Sequence, residues 1–300
     1  MLINPIPGAS HKALLSALTE LRFAIENQQG GGQQGAEDRA TAYLEWVQEA
    51  RRRLRSQIRP SDLDRLVPTK SYEVVLSSLS SLAVATTGPR IVRALVNQQL
   101  TERVDDFGAT IADLQQQTQR FEGDDLLVVL DTNVFMHHPQ EIEDLDVHAL
   151  IYRAFEPLRI VVPMVVVDEL DRLKRTGDGK GRARARYGVA YIDRLFRNGG
   201  LIRPADLSDN ETPRGRVRLD VLFDSPGHLR QSRPDDEIID RAVVLQTLAE
   251  RPVHLVTYDT GMAMRAHNAG LKDIKLKQEP EMEETKQPRR PKQRAADRSE

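Results

Sequence analysis

The chain has no cysteine among its 300 residues. That excludes disulfides, thiol nucleophiles and Cys-ligated zinc or iron–sulfur centres, and it fits a reducing cytoplasm. Charge of one sign is lacking too. The 43 Lys and Arg face 45 Asp and Glu, for a net charge of −2. No global basic field announces nucleic acid, so any such surface must be local. No apolar run nears the length that spans a bilayer. The first residues lack a basic segment followed by an apolar core, so no signal peptide is expected. These absences predict a soluble, cytoplasmic protein with no membrane partner. Trp46 is the one tryptophan. It sits among helical apolar positions, where core packing or a half-exposed anchor is the default.

Several catalytic signatures are missing or incomplete. No Gly-x-Ser-x-Gly element supports serine hydrolase chemistry. The stretch Gly177-Asp178-Gly179-Lys180-Gly181 lacks a Ser or Thr after the lysine and does not open from a strand, unlike a phosphate loop. Asp259-Thr260-Gly261 would need a second carboxylate sharing its proton to act as an aspartic protease; the other candidate reads Asp131-Thr132-Asn133. His137 and His138 are adjacent, a poor arrangement for one ion, and are read as loop residues before Pro139.

The length suggests two domains, and the pattern changes near Gly123. Before it the apolar spacing is helical: Leu14, Leu18, Leu21 and Ile25, then Leu44, Val47, Leu54 and Ile58, then a stripe from Ile91 to Leu114. Residues 1–122 are expected to form an all-α domain of about four helices. The tract at 30–35 reads as a flexible connection. After Gly123, strand-like runs at 126–130, 159–167, 200–203, 217–223 and 253–257 alternate with helical stretches at 140–155, 168–175, 182–197, 236–250 and 260–269, and 273–277 is a short last strand. This is the α/β signature. From Gln278 the chain is charged and nearly without apolar residues, so 278–300 are expected to remain disordered.

What the second half does have is acids at the handovers from strand to helix. Leu126 to Leu130 ends in Asp131-Thr132-Asn133. Ile160 to Val167 ends in Asp168-Glu169-Leu170. Asp235 and Asp236 open a helical stretch, and Val253 to Thr257 leads to Asp259. Each acid alone could be a helix N-cap or a complement to the helix dipole. Together they meet a different expectation. Ligands bind outside the carboxyl ends of the strands of an open parallel sheet, and clustered carboxylates repel unless a cation sits among them. Oxygen-rich sites hold Mg²⁺ or Mn²⁺, and metal-assisted phosphodiester hydrolysis needs such a site.

The ordered motifs Leu130-Asp131-Thr132-Asn133-Val134-Phe135, Pro163 to Asp171, Asp235-Asp236-Glu237-Ile238-Ile239 and Val256-Thr257-Tyr258-Asp259 resemble those of PIN-domain nucleases over about residues 124–277. The resemblance implies a central parallel sheet flanked by helices. It also implies acids that bind Mg²⁺ or Mn²⁺ for cleavage of RNA, usually single-stranded. It carries over Asp131, Glu169 and Asp259. The third acid is Asp235 or Asp236, with Asp235 fitting the longer-spaced motif. Asn133 and Thr257 match polar positions that place the acids or the ligand. Residues 1–122 resemble nothing recognised. Their role is left open, with docking of a protein partner as one reading, and homo-oligomerisation is left open too.

Between Glu169 and Tyr191 runs a basic, glycine-rich segment from Arg172 to Arg186. Such runs are usually solvated surface. Beside a metal site, Lys180, Arg182 and Arg184 are expected to hold the phosphate backbone. The run Arg51-Arg52-Arg53 is read as a solvated helix face. The expectation is a metal-dependent ribonuclease, with an RNA-binding or regulatory module of weak or no catalysis as the alternative.

Overall fold

The computed structural model describes residues 3–6, 8–29, 35–78, 88–153, 155–206, 214–225 and 228–277. The glycine tract at 30–34 and the tail from Gln278 lie outside the described residues. Among the described residues five helices come first: α1 (His11–Gln29), α2 (Ala36–Leu54), α3 (Pro60–Leu66), α4 (Lys70–Ser78) and α5 (Gly88–Arg120). The first stripe, Leu14, Leu18, Leu21 and Ile25, is the buried face of α1. It packs with Tyr43, Val47, Val96 and Phe107 into one apolar cluster. Trp46 is buried there, its Nε1 donating to Leu21 O at 2.9 Å. Arg52 and Arg53 pair with Glu49, and Arg53 also with Glu20, on the outer surface of α2.

Past the turn at Gly123, whose φ of 113° suits a residue without Cβ, the chain becomes a mixed sheet. Its strands are β1 (Leu126–Leu130), β2 (Leu158–Pro163), β3 (Leu201–Arg203), β4 (Val217–Leu222), β5 (Val253–Thr257) and β6 (Lys272–Lys275), in the order β3-β4-β2-β1-β5-β6. All neighbours pair parallel except β3 with β4. Helices α6 (Thr132–His137), α7 (Val147–Ile151), α8 (Met164–Thr176), α9 (Gly179–Arg197), α10 (Pro234–Ala249) and α11 (Thr260–Asn268) flank it. The near-continuous apolar runs of β1 and β2 are those of strands covered on both faces.

Two expected elements differ. Met164 to Val167 belong to α8 rather than to β2. Pro163 is its N-cap residue, and an apolar β-branched run cannot by itself say where a buried strand gives way to a buried helix turn. The helix expected at 140–155 is reduced to the short α7 at Val147–Ile151, with non-helical turns over residues 140–146 before it.

The two halves share contacts. Val244 and Leu248 of α10 lie in the N-terminal cluster. Arg59 pairs with Asp240, and Glu250 accepts from Ser10 Oγ at 2.8 Å. At the sheet's β4 edge, β3 is too short to cover the whole strand. Past Leu219, Asp220 Oδ1 accepts from Val221 N at 2.9 Å and Arg120 Nη2 donates to Val221 O at 2.8 Å. With the boundary placed at 122/123, residues 123–277 expressed alone are expected to fold. They should melt lower than the whole chain, because Val244 and Leu248 lose their cover. Circular dichroism of the fragment checks this, and an unfolded fragment would mean one shared core.

Candidate active site

β1 delivers Asp131 to the carboxyl edge of the sheet, where its backbone N–H donates to Val256 O at 3.0 Å. The side chain is only 1% exposed. Burial raises its pKa above the ordinary carboxylate value; hydrogen bonds from Thr257 and Asn133 oppose this, and the charge of Asp235 adds to the rise. Thr257 ends β5 fully buried. Its hydroxyl donates to Asp131 Oδ2 at 2.8 Å and accepts from Asp259 N at 3.0 Å. One side chain thus ties the ends of two adjacent strands. Asp259 caps α11 by accepting from Met262 N.

Glu169 lies on α8. Thr132 Oγ1 donates to its Oε2 at 2.7 Å, and Arg172 pairs with its Oε1 at 3.3 Å. Asp235 and Asp236 stand in the first turn of α10 and share one arginine from α11. Arg265 Nη2 lies 3.1 Å from Asp235 and its Nε 2.9 Å from Asp236, with Arg233 close to both. All five sequence-selected acids therefore gather at one end of the sheet, and each has a protein donor.

Thr132, Arg233 and Arg265 were not singled out by sequence. Thr132 had a signal, a hydroxyl between Asp131 and Asn133 at the strand exit. Arg265 had none, since a basic residue two turns into a helix is ordinary. Of the basic trio, Lys180 and Arg182 are exposed. Arg184 is part-buried and donates to Met136 O at 3.4 Å and Gln140 O at 3.1 Å, so it also fixes the segment after α6. His138, expected in a loop, is the C-cap of α6 and tilts against Tyr258 with ring centroids 6.4 Å apart.

A second polar group lies beneath. Ligand atoms of Asp224, His228 and Glu237 fall within 4.8 Å of one another, the one such set of three among the described residues, so the strand-end acids stand wider than this. Glu237 already accepts from Gln231 N and lies against His228 Nε2, each at 2.7 Å, and pairs with buried Arg241 at 3.3 Å. Its charge is balanced within the protein, which marks a structural hub.

A family model for the PIN domain matches residues 128–277. The chain belongs to the PIN-domain family, a nuclease-type family whose members typically use divalent metal ions and act on nucleic acid. No curated protein matches the chain. No helix among the described residues is long and apolar enough to cross a membrane.

The donor set suits such an ion. Carboxylate oxygens are the hard ligands that Mg²⁺ and Mn²⁺ take. Asp131 is buried beside a like charge, a position that a divalent cation relieves.

Proposed function

We propose that this protein is a divalent-metal-dependent endoribonuclease that hydrolyses phosphodiester bonds of single-stranded RNA in the cytoplasm. The observation that carries this reading is Asp131. It is a buried carboxylate that senses Asp235 and is linked through Thr257 to Asp259, in a chain of nuclease family. Asp131, Glu169 and Asp235 would hold Mg²⁺ or Mn²⁺. Asp235 is preferred to Asp236 because its charge is the one that acts on Asp131. When bound, the ion would neutralise charge on the phosphate oxygens and promote deprotonation of the attacking water. Thr257 and Asn133 orient Asp131, and Thr132 orients Glu169. Asp259 lies close enough through Thr257 to orient water or to share a second ion.

Cleavage of single-stranded RNA, duplex RNA and DNA with Mg²⁺, with Mn²⁺ and with chelator tests the proposal. Activity on single-stranded RNA that vanishes in chelator is expected. Activity that persists in excess chelator, or none with either ion, would sink it. One observation favours the second reading, a binding module with weak catalysis. Arg265 occupies both Asp235 and Asp236, as it would where those acids serve structure alone.

The segment from Arg172 to Arg186 should contact phosphates. Replacing Lys180, Arg182 and Arg184 by Ala is expected to weaken RNA binding. Each lost phosphate contact should lower the slope of log affinity against log salt by about 0.7. Arg184→Ala alone should also loosen the segment after α6. An unchanged salt slope in the triple variant would return the segment to plain surface.

A further inference from the structure

The two faces of α8 serve different surroundings. Glu169 looks toward Thr132. Met164, Val167 and Lys174, spaced three and seven apart, lie on another face. With Val221, Phe196 and Phe223 they line a cleft of about 440 Å³, rimmed by Arg186. The two phenylalanines stay 48% and 47% exposed, their rings edge to face with centroids 5.6 Å apart. A second cleft of about 320 Å³ adjoins across Phe196 and is lined by Arg120, Arg159, Arg218 and Asp220. Its wall is close-built. Gly200 has φ of 76°, and a Cβ there would lie 2.2 Å from Leu219 O, so only glycine lets the turn between α9 and β3 run this close to β4. Arg120 also stands over the Phe223 ring at 5.9 Å.

Exposed aromatic faces between cationic side chains are what a single-stranded nucleic acid uses, stacking its bases on rings and lodging its phosphates on Arg and Lys. An apolar peptide fits less well, because the cores of protein interfaces are depleted of charge. The position also suits a strand that continues from the acids. Phe223 follows β4 and Met164 follows β2, at the same carboxyl edge from which Asp131 and Asp259 arise. α8 carries Glu169 and also lines the cleft. We propose that this cleft is a stacking subsite for unpaired bases of the RNA flanking the scissile bond, with Arg218, Lys174 and Arg186 taking phosphates. The inference rests on the nuclease reading above for its substrate class.

The test uses the full chain in chelator with a single-stranded RNA carrying 5-iodouracil, which photo-crosslinks to stacked aromatics. Crosslinks at Phe196 or Phe223 are expected. Affinity should fall about tenfold or more in Phe196→Ala/Phe223→Ala and stay near wild type in the Tyr/Tyr pair, since stacking survives there. Should the Ala pair lose its fold, Arg218→Glu, in the lining of the adjoining cleft, is expected to weaken binding at low salt, and the crosslink map stands regardless. Crosslinks confined to other residues, or unchanged affinity in a folded Ala pair, would overturn the subsite and leave the cleft to a protein partner. Cleavage by wild type of the same RNA with Mn²⁺ judges the nuclease reading separately. Cleavage with indifferent variants removes the subsite alone; crosslinked rings without cleavage remove the nuclease reading alone.

Discussion

Asp131→Asn protein is expected to lose at least about a hundredfold in nuclease activity, the scale at which removal of one charge-stabilising group acts, while its ion-free form melts no lower than wild type. Both effects have one cause. Asp131 is buried, and burial together with Asp235 works against its charge. Asparagine keeps the shape and the acceptor oxygen for Thr257 Oγ1 and removes the charge that is costly to the ion-free fold. A ligand that binds only the folded state raises stability as the logarithm of its saturation. Wild type should therefore gain several degrees with Mn²⁺ and the variant little. If Asp131 were only a helix cap, Asn would cap nearly as well. Melting with and without Mn²⁺, together with activity, would then be nearly unchanged.

Arg241→Met should destabilise the protein by about 3–5 kcal/mol, the usual cost of breaking one side of a buried ion pair. That corresponds to about 10 °C in melting temperature for a chain of this size. Arg241 is 1% exposed and serves Glu237, Asp240 and Asn4 Oδ1. Methionine fills similar space and leaves buried Glu237 without its cation. Adding Glu237→Gln should recover part of the loss, and scanning calorimetry of single and double variants measures the coupling. The same junction sets a pH dependence. Asp240 is half-buried, and the desolvation acts to raise its pKa, but Arg59 and Arg241 outweigh this and hold it below its ordinary value near 3.8. A depressed folded pKa gives stability that is fully present above the unfolded value and is lost as pH falls through the folded one. Denaturant melts should therefore show this contribution unchanged at neutral pH and fading only below about pH 4. Equal stability of Arg241→Met and wild type would mean that the junction carries no ion-pair strength.

How much of this was legible in the sequence follows from the range of each interaction. β1, β5 and the first stripe of α1 could be read residue by residue, because burial on both faces of a strand or one face of a helix writes a short local period. The acids could be read because strand exits are local features too. The start of α8 at Met164 could not, since Val165 to Val167 suit a strand as well as a buried helix turn. Arg265 clasping Asp235 and Asp236, and Arg241 joining Asn4 across the two halves, were invisible. They join residues 30 and 237 positions apart, and no spacing rule marks the partner. The ties of Asp131 to Thr257 and of Glu169 to Thr132 were hidden for the same reason, since they span 126 and 37 positions.

The arginine that closes α5 has a consequence beyond its ion pair. An open sheet edge offers N–H and C=O groups to any passing strand, and proteins that leave such an edge bare tend to aggregate. Here Asp220 and Arg120 occupy the two groups of Val221, and Arg120 belongs to the helical half. A chain trimmed to residues 123–277 would keep the strand and lose half of its guard. Such a fragment, even well folded, should associate edge to edge with rising concentration through the freed carbonyl of Val221, and Val221→Pro should suppress this because a proline ring on the edge keeps an incoming strand from pairing.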